Sequence, residues 1–430
     1  MSNTAPSRPL YAYYGDDFTG STDVLEALAL HGLPAVLFTS TPGQADLAAF
    51  PHCRAIGIAG ESRSRSPRWM DAHLPAIFAR MRAMGAAVNH YKVCSTFDSA
   101  PHTGSIGRAM ELGRRAFHTK CIPIVVSAPH LGRAVAFGNL FAAANGAMVR
   151  IDRHPTMQRH PVTPMHEADL RLHLARQTRL NIGLVDVRAF EHGSVAEQLQ
   201  SELADGAQAI LFDGIRDAML DETAASLCDL AAHRPIFAVG SSGLTYGLLR
   251  HWRRAGLLPR RVRLAAAKPA GRILVLSGSC SPVTAAQIRH ARHHGFAAWA
   301  LGSLEGWPRR RQQALRALAE GRSVVLYTAL GPLPAQTETS AALPIALGNL
   351  LHEMVTSSGV RRVILAGGDT STHAVQQLGL RALTFAAPLA PGAPLCRGHA
   401  PGSPLNGLEL VLKGGQVGPE DFFSAVRDCA

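Results

Sequence analysis

Asp16 and Asp17 stand side by side in the run Tyr13-Tyr14-Gly15-Asp16-Asp17-Phe18-Thr19-Gly20, after a short apolar stretch and before a helical pattern. Two adjacent carboxylates on a strand-to-helix turn can bind hydroxyl groups or accept a proton, and in an open α/β sheet the crevice beyond the carboxyl ends of the strands is where ligands collect. The plainer alternative is capping of the helix beginning near Ser21, because Asp and Ser side chains accept from the free N–H groups of a first turn. Further along, Arg63 follows Ser62, and Lys92 opens the run Lys92-Val93-Cys94-Ser95-Thr96-Phe97-Asp98-Ser99. A guanidinium suits bidentate capture of a carboxylate, and a lysine offers the same group a point charge. With Asp16, Asp17 and the hydroxyls of Ser95 and Thr96, these residues describe a polar pocket for an acid bearing hydroxyls. Taken singly, each basic residue reads as an ordinary surface ion-pair partner.

The second half carries residues for a different chemistry. Ser277-Gly278-Ser279-Cys280-Ser281, Gly367-Gly368-Asp369-Thr370-Ser371 and Lys413-Gly414-Gly415 each follow an apolar, strand-like run. Turns rich in glycine and small hydroxyls expose backbone N–H groups, at the positive end of a helix dipole where a helix follows, and so suit phosphate. Three such turns together favour a nucleotide, whereas tight connections packing helices on a sheet are the simpler reading of any one. The chain has no G-x-x-x-x-G-K-[ST], no G-x-G-x-x-G and no G-x-S-x-G, which removes a P-loop, a dinucleotide fingerprint and a nucleophile elbow. His166-Glu167 and His352-Glu353 lack a histidine three residues later. No metal site built from protein side chains is expected.

With 430 residues the chain exceeds one comfortable core, since single cores stop growing near roughly 250 to 300 residues. Two domains follow. An apolar content of 47% and a charged content of 17% mark an ordinary globular protein. No apolar run reaches the roughly 20 residues of a bilayer span, and Met1 to Pro9 lacks the apolar region of a secretory signal, so a cytoplasmic protein without a membrane partner is expected. The seven cysteines are scattered, with no C-x-x-C pair, which points to reduced thiols. The formal charge of +12 comes with only 6% aromatic residues. That combination offers little stacking surface for bases and fits a small phosphorylated or carboxylated ligand better than nucleic acid, with a solvated basic face as the bland alternative.

Strand-like runs over 10–14, 35–39, 55–58, 90–93, 122–126, 181–185, 209–212 and 235–239 alternate with helical patterns such as 21–31, which is the signature of βαβ units. A proline-punctuated loop covers 153–164, and 167–177 looks helical. Residues 253–272 read as a connection. Further strands over 272–276, 323–328, 362–366 and 408–412 and helices over 283–294 and up to 378 form a second unit. The expected fold is therefore two α/β domains with mostly parallel sheets, residues 1–255 binding the acid and 270–430 the nucleotide, with the active site in the cleft between them.

These residues together resemble the four-carbon acid sugar kinase family. The resemblance rests on Gly15-Asp16-Asp17-Phe18-Thr19-Gly20, Ser277-Gly278-Ser279, Gly367-Gly368-Asp369-Thr370-Ser371 and the ending Lys413-Gly414-Gly415 to Glu420-Asp421-Phe422-Phe423, in that order over nearly the whole chain. It implies an ATP-dependent kinase acting on the terminal hydroxyl of threonate, erythronate or an oxo-tetronate. It also implies ATP contacts from the Ser279 region, from Gly367 to Thr370, and from Gly414 or Gly415. Where the family reads Lys, any residue, then Asp-Ser-Thr-Leu-Arg-Gly, this chain has Lys92 to Ser99 without that Asp and Arg, which leaves room for a larger, branched or differently oxidised acid sugar.

Phosphoryl transfer rests on positioning and charge neutralisation, with Mg²⁺ bridging phosphates and a carboxylate receiving the hydroxyl proton. The roles expected are hydroxyl binding by Asp16 and Asp17, carboxylate binding by Arg63 and Lys92 beside Ser95 and Thr96, and nucleotide binding by Ser277, Ser279, Gly367, Gly368, Asp369, Thr370, Gly414 and Gly415. Asp17 and Asp369 are the rival bases. A homodimer is an open option. The competing classes are a non-catalytic two-domain sensor that closes on a metabolite and, more remotely, a nucleic-acid binder.

Overall fold

A computed structural model of the chain describes residues 8–144, 146–160, 162–331 and 343–429. In chain order the strands are β1 (Tyr11–Gly15), β2 (Ala35–Phe38), β3 (Ala55–Ala59), β4 (Val88–Lys92), β5 (Ile122–Val125), β6 (Arg133–Ala136), β7 (Asn139–Ala144), β8 (Ala147–Arg150) and β9 (Ile182–Val185). They continue with β10 (Ala209–Phe212), β11 (Ile236–Gly240), β12 (Leu274–Ser277), β13 (Ala297–Ala300), β14 (Val324–Tyr327), β15 (Arg362–Ala366), β16 (Ala382–Ala390), β17 (Ala393–His399) and β18 (Glu409–Lys413). The chain divides into two compact units, one of Met1–Asp16, His31–Pro34 and Gly43–Val262, the other of Asp17–Leu30, Ala35–Pro42 and Arg263–Ala430.

In the first unit the strands run parallel in the order β3-β1-β4-β11-β5-β10-β9. Segments such as Ala55–Ala59 and Ile236–Gly240 are apolar along their whole length and buried on both faces, as parallel strands covered by helices on each side must be. The strand order reverses at β1, which lies between β3 and β4, and register places Gly15 opposite Ala59 and Lys92. Such a switch point opens a crevice at the carboxyl edge. Asp16, Arg63 and Lys92 all issue from that edge.

A small antiparallel sheet, β6-β7-β8, was not anticipated from the sequence. Its first hairpin turns on Phe137 and Gly138, both at positive φ (51° and 79°). A primed two-residue turn normally calls for Asn-Gly or Asp-Gly. Here the carboxylate of Asp213 accepts from both turn N–H groups and from Val187, so a distant residue holds a phenylalanine in the left-handed region. The helix expected over 167–177 is shorter, Leu170–Ala175, because Asp169 caps it by accepting from Arg171 N at 2.9 Å.

The second unit orders its strands β13-β14-β12-β15-β18-β17-β16-β2. The first five are parallel, whereas β17, β16 and β2 join antiparallel. The long β16–β17 hairpin escaped the sequence reading because its alternation is blurred by register shifts between Phe385 and Ala390. The helix Phe18–Leu30 and β2, which precede most of the first unit in the chain, pack with the residues after 263. Leu37 and Phe38 of β2 pair with Leu383 and Ala382 of β16, Thr39 N donates to Arg381 O at 3.1 Å, and Gly392 N donates to Glu26 Oε2 at 2.7 Å.

Candidate active site

Asp16 leaves β1 with its N–H bonded to Lys92 O at 2.9 Å, and its carboxylate is buried. Arg63 comes from the short 3-10 turn Ser62–Ser64 that follows β3. Its Nη2 and Nε meet Asp16 Oδ1 and Oδ2 at 2.8 and 3.1 Å, a bidentate pair. The sequence reading assigned this guanidinium to a ligand carboxylate; one of its edges instead grips Asp16. Lys92 ends β4 and is buried. Ser95 and Thr96 are buried too, and Thr96 Oγ1 donates to Asp98 Oδ1 at 2.5 Å while Thr163 Oγ1 donates to Asp98 Oδ2 at 3.2 Å.

Asp17 falls in the second unit. Its Oδ1 accepts from Gly20 N at 2.7 Å and its Oδ2 from Thr19 Oγ1 at 3.1 Å. This is a helix cap, and it starts the helix at Phe18 rather than near Ser21. A Cβ placed on Gly368 would lie 4.0 Å from Asp17 Oδ2, so that oxygen borders the start of the helix Gly368–Gln377.

The strand order of the second unit reverses at β12, between β14 and β15, and the edge there carries all three glycine-serine turns. Ser277, Ser279 and Ser281 form a staircase in which Ser279 N donates to Ser277 Oγ (3.4 Å), Ser281 N to Ser279 Oγ (3.2 Å) and Val283 N to Ser281 Oγ (3.2 Å). The last of these caps the helix Pro282–His293. Gly367, at φ 116°, adopts a conformation that suits glycine and donates its N–H to Lys413 O at 3.0 Å. Gly415 touches the serine staircase so closely that a Cβ would come within 2.8 Å of Ser279 Oγ, whereas one on Gly414 would meet only Val417 at 3.4 Å. The backbones of Asp369 and Thr370 lie in the first turn of the helix Gly368–Gln377, and their side chains are outside the described residues.

Beneath these turns lies a residue that the sequence reading quoted only as part of a glycine cluster. Lys413 is fully buried, and its Nζ donates to Thr284 Oγ1 at 3.0 Å, while Thr284 Oγ1 donates to Gly415 O at 2.8 Å. Burial pushes its pKa down to about 8. No carboxylate pairs with it among the described residues. A buried ammonium without a counter-ion, under turns that expose N–H groups, is suited to an anion.

Residues 11–248 match the model of a sugar-binding N-terminal domain, and residues 274–423 that of a nucleotide-binding C-terminal domain. A 3-oxo-isoapionate kinase of Paraburkholderia graminis is 44% identical, over 98% of this chain and 95% of that protein. The chain belongs to the four-carbon acid sugar kinase family. It is an ATP-dependent sugar-acid kinase. A 3-oxo-tetronate kinase of Cupriavidus necator is 32% identical over 98% of this chain and 97% of that one. Crystal structures of a Salmonella typhimurium protein (TM-score 0.78, 26% identity, 97% and 98% of the two chains) and a Haemophilus influenzae protein (0.72, 25%, 96% and 98%) share the fold.

For this kinase the structure gathers Asp16, Arg63, Lys92, Ser95 and Thr96 around one sheet edge in the first unit. It gathers Asp17, Ser277, Ser279, Gly367, Gly368, Gly414 and Gly415 in the second. Sequence reasoning missed Lys413 as a buried cation, Thr284 as its partner, and the Thr96-Asp98-Thr163 link. The last had a signal available, since Asp98 lies in the segment that departs from the family pattern and Thr163 in the proline-punctuated loop.

Among the described residues no group of three or more His, Cys, Asp or Glu could hold a metal ion. Nor is any described helix long and apolar enough to cross a membrane.

Proposed function

We propose that this kinase transfers the γ-phosphoryl group of ATP to a hydroxyl of a 3-oxo acid sugar of the isoapionate or tetronate kind. The relatives named for those activities span nearly the whole chain, and the one acting on 3-oxo-isoapionate shares more of its residues. The observation that carries the mechanism is Asp17, whose carboxylate oxygen borders Gly368 at the head of a helix in the nucleotide-binding unit. A carboxylate so placed can take the proton of an attacking hydroxyl beside the phosphate.

In this reading the Gly368 N–H group, the serine staircase and Gly414–Gly415 hold the nucleotide phosphates, Gly367 shapes the turn with its own N–H bonded to Lys413 O, and buried Lys413 offsets the phosphate charge. Asp369 and Thr370 border the same phosphates. Asp16, fixed by Arg63, together with Ser95 and Thr96, binds sugar hydroxyls. Lys92 supplies positive charge nearby.

Mg²⁺ belongs to the same reading. It needs only one or two protein carboxylates when phosphates supply further oxygens, so no cluster of protein ligands is required. When bound it neutralises phosphate charge. The cytoplasm suits the enzyme, since its cysteines are all unpaired.

Coupled detection of ADP with 3-oxo-isoapionate, 3-oxo-tetronate, threonate and erythronate tests the assignment. Acid-dependent ADP release is the expected result. If an acid raises the melting temperature yet none stimulates ADP release, the protein is a sensor.

A further inference from the structure

The first unit contains a cavity of about 310 Å³ whose polar wall is formed by Ser99, His102, His166, His173, Arg176 and Gln177. Among the described residues no carboxylate lines it. Small-molecule sites run from roughly 300 to 1,000 Å³, so this volume suits a small acid rather than a nucleotide. The wall that carries Ser99 and His102 is the loop between β4 and the helix Ile106–Phe117, and this loop packs against the turn that holds Arg63. Gly104 N donates to Arg65 O at 2.9 Å, and a Cβ on Gly104 would come within 2.4 Å of Arg63 O. The cavity is thus built from the segment that supplies Lys92, Ser95 and Thr96.

One side of the cavity is rigid. Gln177 Nε2 donates to Ser99 Oγ (2.9 Å) and to His173 Nε2 (3.0 Å), Ser99 Oγ also meets His173 Nε2 at 2.9 Å, and Gln177 Oε1 accepts from Gly107 N at 3.3 Å. Burial, with Arg176 adding to it, pushes the His173 pKa down to about 4, so this ring is neutral near pH 7 and acts as a fixed acceptor. Arg176, which follows the helix Leu170–Ala175, forms no ion pair among the described residues. Arg63 by contrast is committed to Asp16 through two hydrogen bonds.

We propose that this cavity is where the kinase recognises the acid: Arg176, flanked by His102 and His166, takes the substrate carboxylate, and the Ser99-His173-Gln177 network holds the wall against which the small polyhydroxy acid lies. The inference rests on the sugar-acid kinase reading above and deepens it. A guanidinium that has no internal partner keeps its fork for a planar carboxylate, whereas a like-shaped neutral sugar gains nothing from it. Arg176 thereby selects acids over uncharged ketoses.

The test compares wild type with Arg176→Gln, Arg176→Lys and His166→Trp, the last chosen to fill an exposed part of the cavity without touching a core. KM is measured for 3-oxo-isoapionate and 3-oxo-tetronate, for an uncharged ketose with matching hydroxyls, and for ATP; binding of the same acids without nucleotide is followed by calorimetry. Arg176→Gln should raise the KM and the dissociation constant for the acid by about tenfold or more, the loss expected of a charge-assisted bidentate pair, and leave the ATP KM, the ketose KM and the melting temperature unchanged. Arg176→Lys should recover part of the loss, and His166→Trp should weaken the acid alone. Wild-type acid affinity in both Arg176→Gln and His166→Trp overturns the proposal. Failure of the kinase reading looks different: wild type then releases no ADP with either acid, while calorimetric acid binding that disappears in Arg176→Gln still supports the cavity.

Discussion

The ammonium of Lys413 lies 3.0 Å from the hydroxyl oxygen of Thr284, and that hydroxyl in turn holds the carbonyl of Gly415 at 2.8 Å. A single buried cation thus anchors the third glycine turn, while the carbonyl of the same residue receives the N–H of Gly367 from the second. The first turn closes against Gly415 through Ser279.

In the proposed phosphate site this arrangement should make nucleotide binding pH-dependent. Burial lowers the Lys413 pKa from 10.5 to about 8, so between those values the unfolded chain keeps a proton that the folded chain has released, and stability without nucleotide rises with pH across that window. A bound phosphate favours the ammonium and draws the proton back. The ATP KM of the wild type should therefore climb as pH passes about 8, and Lys413→Met should show a raised ATP KM that no longer varies there. A wild-type ATP KM that is flat from neutral to alkaline pH removes Lys413 from the phosphate site.

Asp17 separates a catalytic role from a capping one by a single substitution. Asn caps helices about as well as Asp, so Asp17→Asn should keep the Gly20 bond and the melting temperature. It removes the proton acceptor, and kcat should fall by about a hundredfold or more, the usual scale of general base catalysis, with the ATP KM unchanged. Near-normal turnover would hand the role to Asp369.

The two adjacent glycines near the C-terminus should behave oppositely. A methyl on Gly415 meets Ser279 Oγ at 2.8 Å and Ser281 Cβ at 3.0 Å, whereas one on Gly414 meets only Val417 at 3.4 Å. Gly415→Ala is expected to push two of the turns apart and raise the ATP KM by about tenfold, a range that small misplacements of binding groups readily reach. Gly414→Ala should stay close to wild type. Equal effects of the two substitutions on steady-state kinetics would show that the spacing of the turns does not matter.

Within the second unit, Glu26 ties the helix Phe18–Leu30 to the turn between β16 and β17. Desolvation raises its pKa from 4.5 to about 7, against the opposing hydrogen bond from Gly392 N. Between those values the folded chain holds a proton that the unfolded chain has released, so this group's stabilisation is complete at low pH and fades as pH rises towards 7. Thermal melting should show wild type gaining stability relative to Glu26→Gln as pH falls from about 7 to about 5. Parallel melting curves for the two proteins over that range would exclude it.

Much of the strand inventory was legible because parallel strands buried on both faces must be continuously apolar, and the runs ending at Gly15, Ala59, Ser277 and Ala366 are of that kind. The hairpins were not. The Phe137-Gly138 turn depends on a carboxylate from residue 213, and β16 takes part of its pairing from β2, some 340 positions earlier. Neither dependence leaves a local pattern.

By itself the sequence singled out the candidate residues for the chemistry, because paired carboxylates, glycine-serine turns and strand-end cations are local features of type and spacing. It also determined the two-part α/β architecture, through length and alternation. Only tertiary structure decided that the neighbours Asp16 and Asp17 belong to different units, since the helix after Asp17 finds its apolar partners in β16, β17 and the helix at Gly368. Only it revealed Arg63 as bound to Asp16, and Lys413 and Arg176 as cations without an ion-pair partner among the described residues. Burial and pairing are set by residues far apart in the chain, and no spacing rule reports them.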